Sequence, residues 1–212
     1  MKRKGIIFDL DGTLWEVTQQ TFKSANEVAK KHNLQEISIE TICSVFGLNS
    51  KESAKRYFPY LDLNDSLKLM DEISTLNINH LQKYGGNVYP NLEKVLKKLK
   101  ENYELFIVSN TGHNEYIDAF LISSKLKLYF TDYIAASKIN LSKGDAIKKI
   151  ISEYKLKESI YVGDTQKDLE ATTIAQIPFI YAKYGFGNSI NTKYSIESIE
   201  ELPNIIQNIN FE

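Results

Sequence analysis

Apolar positions along this chain follow two different periods. Short apolar runs rich in Ile, Val, Phe and Tyr fall at residues 5–9, 104–109, 132–136, 159–163 and 178–181, each bounded by polar or turn-forming residues, and these predict buried strands. Between them the spacing lengthens to that of a helix face. Leu92, Val95, Leu96 and Leu99 share one stripe, and Ala146, Ile147, Ile150, Ile151 and Tyr154 share another. Strand and helix in alternation predict an α/β fold with a parallel sheet and helices on both sides.

The alternation is interrupted once. From Trp15 to Tyr89 no convincing strand appears, only helical patterns: Phe22, Ala25, Val28 and Ala29; then stretches at 42–46 and 50–58; then a long one at 65–84. Breaks fall at 32–38, 47–49, 59–64 and Gly85-Gly86. A helical block inserted after the first strand predicts a lid (15–89) on an α/β core (1–14 and 90–212), with Gly85-Gly86-Asn87 and Pro90 at the return.

Composition narrows the function classes. With 212 residues, 42% hydrophobic and 25% charged, the chain has the balance of an ordinary globular protein. A net charge of −1 without a basic block argues against nucleic acid, and no apolar stretch reaches membrane-spanning length. The apolar run behind Met1-Lys2-Arg3-Lys4 is too short for a signal peptide, and the single cysteine, Cys43, cannot form an internal disulfide, so a cytoplasmic location is expected. His32, His80 and His113 lack metal-ligand spacing and are expected at the surface or at helix caps.

Candidate chemistry concentrates where predicted strands end. The first runs into Asp9-Leu10-Asp11-Gly12-Thr13, and side chains at i and i+2 share a face, so two carboxylates stand together and call for a cation or a proton. Another strand ends in Ser109-Asn110-Thr111-Gly112, whose hydroxyl and turn N–H groups suit a phosphate. A later one ends in Gly163-Asp164-Thr165-Gln166-Lys167-Asp168. There Asp164 either shares a cation with Asp9 or simply caps the next helix. Lys143 opens a helical pattern and can reach inward. In an open parallel sheet, ligands gather beyond the carboxyl ends of the strands, where three of these motifs map. Asp9, Asp11 and Asp164 form a hard oxygen set suited to Mg²⁺, and Ser109 and Lys143 supply donors for a dianion.

These motifs, in this order, resemble those of the haloacid dehalogenase superfamily, in its phosphatase branch with an inserted helical cap. The resemblance covers essentially the whole chain. It implies a Rossmann-like three-layer core and a Mg²⁺-dependent phosphatase acting on a small phosphorylated molecule, phosphoglycolate or a sugar phosphate. Asp9 would be the nucleophile and Asp11 the acid–base. Thr13, Ser109, Asn110 and Lys143 would hold phosphate. Asp9, Asp164, the carbonyl of Asp11 and, more remotely, Asp168 would hold the metal. No proline follows Lys143, which leaves Lys138 as a rival. In the cap, Gly47-Leu48-Asn49-Ser50 resembles the loop that dips toward the site, and Gly47, Asn49 and Lys51 are candidate substrate contacts. Trp15 stands either at the site entrance or at the hinge. Asp11 argues against a true dehalogenase, and the cap lacks the histidine expected of a sugar-phosphate mutase. A phospho-accepting signalling module is the reading from another class, and a monomer or small homo-oligomer is expected.

Overall fold

The computed structural model describes residues 3–209. β1 (Lys4–Phe8) opens the chain, and the two-residue β2 (Trp15–Glu16) follows. Four helices come next: α1 (Thr18–Lys31), α2 (Ile39–Val45), α3 (Ser50–Tyr57) and α4 (Leu63–Tyr84). After β3 (Asn87–Val88) the order becomes α5 (Leu92–Lys100), β4 (Glu104–Ser109), α6 (Asn114–Ser123), β5 (Asp132–Ala135), α7 (Lys143–Glu153) and β6 (Glu158–Gly163). Then come α8 (Gln166–Ala175), β7 (Phe179–Ala182), β8 (Tyr194–Ile196) and α9 (Leu202–Ile205).

Six strands form one parallel sheet in the order β5-β4-β1-β6-β7-β8. β1 lies inside it, pairing Ile7 with Phe106 on one side and with Tyr161 on the other. Both faces of such a strand are covered, so its apolar run is unbroken rather than alternating. Ile6, Phe8, Ile107 and Val162 pack against α5 and α6, while Ile7, Phe106, Val108 and Tyr161 pack against α7 and α8. The result is a three-layer α/β core. From β1 the chain winds outward through β4 and β5, then crosses back to β6. The sheet's switch point therefore lies between β1 and β6, where a crevice opens at the strand ends.

The helical block has a core of its own. Ala25, Val28, Ile42, Tyr57, Phe58 and Ile73 belong to an apolar cluster separate from the two that sandwich the sheet. Helices α3 and α4 begin at side-chain N-caps. Asn49 caps α3 with its side chain, accepting from the N–H groups of Lys51 and Glu52, and Asp62 does the same for α4.

Two features depart from the sequence reading. The segment from Trp15 to Tyr89, expected to lack strands, begins and ends in an antiparallel ribbon pairing Trp15 with Val88 and Glu16 with Asn87. β8 was also unexpected. An edge strand of three residues with Ile196 alone buried leaves no periodic signal. Among the described residues no helix is long and apolar enough to cross a membrane.

Candidate active site

Asp9 lies one residue past β1, its backbone N–H donating to Val162 O at 2.8 Å, so it stands at the crevice between β1 and β6. The chain must turn sharply just beyond it. Gly12 takes φ +79°, and a Cβ there would fall 2.2 Å from Asp164 Oδ2. Only glycine permits both that conformation and that approach. Asp164, just past β6, is fully buried; Thr13 Oγ1 donates to its Oδ1 at 3.2 Å and the Phe186 N–H to its Oδ2 at 2.6 Å. The N-cap of α8 is Thr165, so helix capping does not account for Asp164.

Lys143 is the first residue of α7, where Ser142 provides the cap. Its side chain is buried, and Nζ lies 2.7 Å from both Asp9 Oδ1 and Asp168 Oδ1. Asp168 is in turn held by Thr165, whose N–H and hydroxyl donate to Oδ2 at 2.9 and 2.6 Å, and by Tyr161 OH at 3.3 Å. Lys138, by contrast, is exposed and lies 3.9 Å from Glu115.

Charge at this floor does not balance. Asp9, Asp11, Asp164 and Asp168 set four carboxylates against one ammonium. Burial pushes the Asp9 carboxyl up to about 7 despite the opposing pull of Lys143, with the Asp168 charge pushing the same way. Burial also raises Asp11, and burial with the charges of Asp168 and Asp9 raises Asp164 well above the carboxylate range. Oxygens of Asp9, Asp164 and Asp168 all lie within 4.8 Å of one another. Hard oxygen donors in a crowd short of positive charge fit a divalent cation of the Mg²⁺ kind.

Asp11 points elsewhere. Trp15 Nε1 and Tyr116 OH both donate to its Oδ1, each at 2.8 Å. The indole is buried and meets the rings of Tyr116 and Phe120 edge-on, at 5.7 and 5.2 Å. Two donors on one oxygen fix the carboxylate's direction.

Over this floor lies a cavity of about 160 Å³. Asp9, Asp11, Ser109 and Lys143 line it from the core, and residues 45–48 with the faces of α3 and α4 line it from above. The roof is tied down at its loop. Asn110 Nδ2 donates to Gly47 O at 3.0 Å, and the Phe46 ring stacks on Phe186 at 4.1 Å. Gly47, at φ +80°, leaves room for Thr165 Oγ1, which a Cβ would approach to 3.0 Å.

Of the residues singled out in the sequence, the structure brings Asp9, Asp11, Ser109, Asn110, Lys143 and Gly47 to one cavity. Asp164 and Asp168 stand beneath it. Thr13, expected on phosphate, is fully buried with its hydroxyl on Asp164. Asn49 caps α3 and lines a neighbouring pocket, and Lys51 is exposed and lines neither. Trp15 packs at the hinge ribbon while reaching Asp11. Sequence reasoning missed Tyr116 and the helical-block residues Ser53, Ser74 and Asn77; it placed His113 at a surface or cap, and His113 stands at the N-cap position of α6 without a side-chain capping bond and lines the cavity. The Asn-Thr-Gly-His turn before α6 was a signal for His113, whereas nothing near Tyr116 marks it.

Comparison with known proteins agrees with this architecture. The chain is similar to the plasmid phosphoglycolate phosphatase of Cupriavidus necator, with 21% identity over 95% of this chain and 92% of that one. Its fold is similar to that of a predicted phosphoglycolate phosphatase from Haemophilus somnus (TM-score 0.85, 21% identity, 98% and 99% of the two chains). It is also similar to that of a predicted phosphatase from Clostridium acetobutylicum (TM-score 0.80, 22% identity, 99% and 100%). The family model for haloacid dehalogenase-like hydrolases matches residues 6–182, a span that holds the crevice, its four acids and the whole helical insertion, and the chain belongs to that family.

Proposed function

We propose that this hydrolase is a phosphatase that releases phosphate from a small phosphomonoester, with Asp9 as the nucleophile and 15–89 as a cap over a core of 1–14 and 90–212. The observation that carries the reading is the cluster of three acids, Asp9, Asp164 and Asp168, around one buried lysine at the sheet's switch point. Asp9, Asp164 and the Asp11 carbonyl would hold a divalent cation, with Asp168 behind them. When bound, that cation supplies positive charge against the repulsion between a carboxylate and a phosphate dianion.

The chain's own residues do the rest. Asp9 attacks phosphorus and forms an aspartyl phosphate, which divides one difficult displacement into two. Lys143, locked by Asp168, keeps the Asp9 carboxylate oriented and adds charge where it develops on the phosphoryl oxygens. Ser109 and the turn beyond it offer donors to the same oxygens. Asp11, with Oδ1 engaged by Trp15 and Tyr116, has Oδ2 to protonate the leaving alkoxide and later to take a proton from water. The cap excludes bulk water from that exchange.

The test is phosphate release from a panel of small phosphomonoesters with and without Mg²⁺. Asp9→Asn is expected to lower turnover on the order of 10⁴-fold or more while the melting transition stays cooperative. Near-normal turnover in that variant removes Asp9 as nucleophile. Stable phosphorylation of Asp9 without release would favour a phospho-accepting signalling module instead.

A further inference from the structure

The cavity walls differ in chemistry from floor to roof. On the cap side, Ser50, Ser53, Ser74 and Asn77 bring hydroxyls and an amide to the wall, beside the apolar Val45 and Met70. Ser53 and Asn77 are buried. The Asn77 amide is set in place from behind, donating to Thr21 Oγ1 at 3.3 Å and accepting from Ser24 Oγ at 3.4 Å. On the core side, Thr111 and His113 add a hydroxyl and an imidazole. Lys143 is the lysine of the wall, no arginine joins it, and its ammonium is already shared between Asp9 and Asp168. The exposed cap cations stand away from the cavity. Arg56 donates to Ser44 O at 2.7 Å, and Lys51 is not part of the wall.

Resting on the phosphatase reading, we infer that the leaving group is short, uncharged and hydroxyl-bearing, a small polyol or sugar, selected by Ser53, Ser74 and Asn77. A leaving group with its own carboxylate would place a second anion over Asp9 and Asp11, against an apolar patch and with no free lysine or arginine of the wall to meet it. An unpaired buried charge is costly, and neutral donors do not offset it. A polyol instead exchanges its water partners for serine hydroxyls and an amide. A site built to hydrogen-bond hydroxyls rejects analogues that leave those groups unpaired. The volume of about 160 Å³, well under the roughly 300–1,000 Å³ of drug-sized pockets, limits the skeleton to a few carbons.

A matched pair of substrates tests this. Glycerol 3-phosphate and 3-phosphoglycerate have the same carbon count and differ by a hydroxymethyl against a carboxylate. With the full chain and Mg²⁺, kcat/KM is expected to favour glycerol 3-phosphate at least tenfold, and 2-phosphoglycolate to fall with the carboxylate substrate. Ser53→Ala with Ser74→Ala is expected to lower kcat/KM for glycerol 3-phosphate and shrink that preference. Ser74→Lys, which adds the missing charge, is expected to shift selectivity toward the carboxylates. Equal or better turnover of the carboxylates by the unaltered protein, with p-nitrophenyl phosphate also hydrolysed, overturns this inference and leaves the phosphatase reading standing. No hydrolysis of any of these substrates overturns both.

Discussion

At the floor of the cavity, Asp11, Asp164 and Asp168 each accept at least two hydrogen bonds, whereas the cap loop above meets the floor through one amide–carbonyl bond and one stacked ring pair. The floor is assembled from the ends of β1, β4 and β6, rigid elements paired on both sides. Its roof comes from helical faces whose apolar side is committed to the cap's own cluster. On the proposed reading, this contrast divides chemistry from selection. Charged groups that must hold one geometry sit on the sheet, and the neutral groups proposed to choose among substrates sit on a body joined to it by a short ribbon and packed on α6 through α4.

Removing a cation from the floor should have a larger effect than any loss at the roof. Lys143→Met leaves Asp9 and Asp168 buried without their shared partner. It should cost roughly 3–5 kcal/mol in urea unfolding and lower turnover roughly 10²-fold or more. An unchanged unfolding midpoint would dissolve the idea that the floor is electrostatically strained.

The same strain predicts a pH signature. Burial takes the Asp9 carboxyl from its ordinary 3.8 up to about 7. The native state therefore binds a proton that the unfolded chain has already lost, so this contribution to stability is complete below about pH 4 and fades as pH rises through about 7. Without metal, the melting temperature should fall by roughly 5 °C or more between pH 5 and pH 8. Mg²⁺ should raise it more at pH 8 than at pH 5, since the cation replaces that proton. Equal shifts at both pH values would count against a metal held by these acids.

A smaller effect is expected at Tyr116. Its hydroxyl is one of two donors to Asp11, and a hydrogen bond to a charged group is worth about 1.5–3 kcal/mol. Tyr116→Phe should slow alkyl phosphates roughly tenfold to a hundredfold. It should affect p-nitrophenyl phosphate less, because that leaving group scarcely needs a proton. Equal slowing of both would assign Tyr116 a packing role. Smallest of all, Phe46→Ala removes an aromatic contact worth about 0.5–1.5 kcal/mol. It should raise KM roughly two- to tenfold with kcat little changed, whereas a fall in kcat alone would mean that the roof takes part in the chemistry.

Much of the floor was legible along the chain because its residues lie where apolar runs stop. Asp9 and Asp164 each follow a strand end and Ser109 closes one, and a strand buried on both faces announces its end by the abrupt change to polar residues. Lys143 was legible only as a residue near a helix start. Its preference over Lys138 needed the packing of α7 beneath β1, which carries its ammonium to Asp9. Tyr116 and Asn77 gave no signal. Each sits on a helix whose periodicity reports burial, and burial against core looks the same in sequence as burial against a cavity.

Sequence by itself determined the α/β alternation, the helical insertion and the acids at the strand ends, because each is written in local periodicity and its interruption. Tertiary structure decided which lysine meets those acids, that Thr13 supports Asp164, that Asp11 is held by Trp15 and Tyr116, and that the cavity wall opposite the acids carries no charged side chain. These depend on distances between residues far apart in the chain. Such distances are set by how helices pack on the sheet and on one another, and no local pattern encodes them.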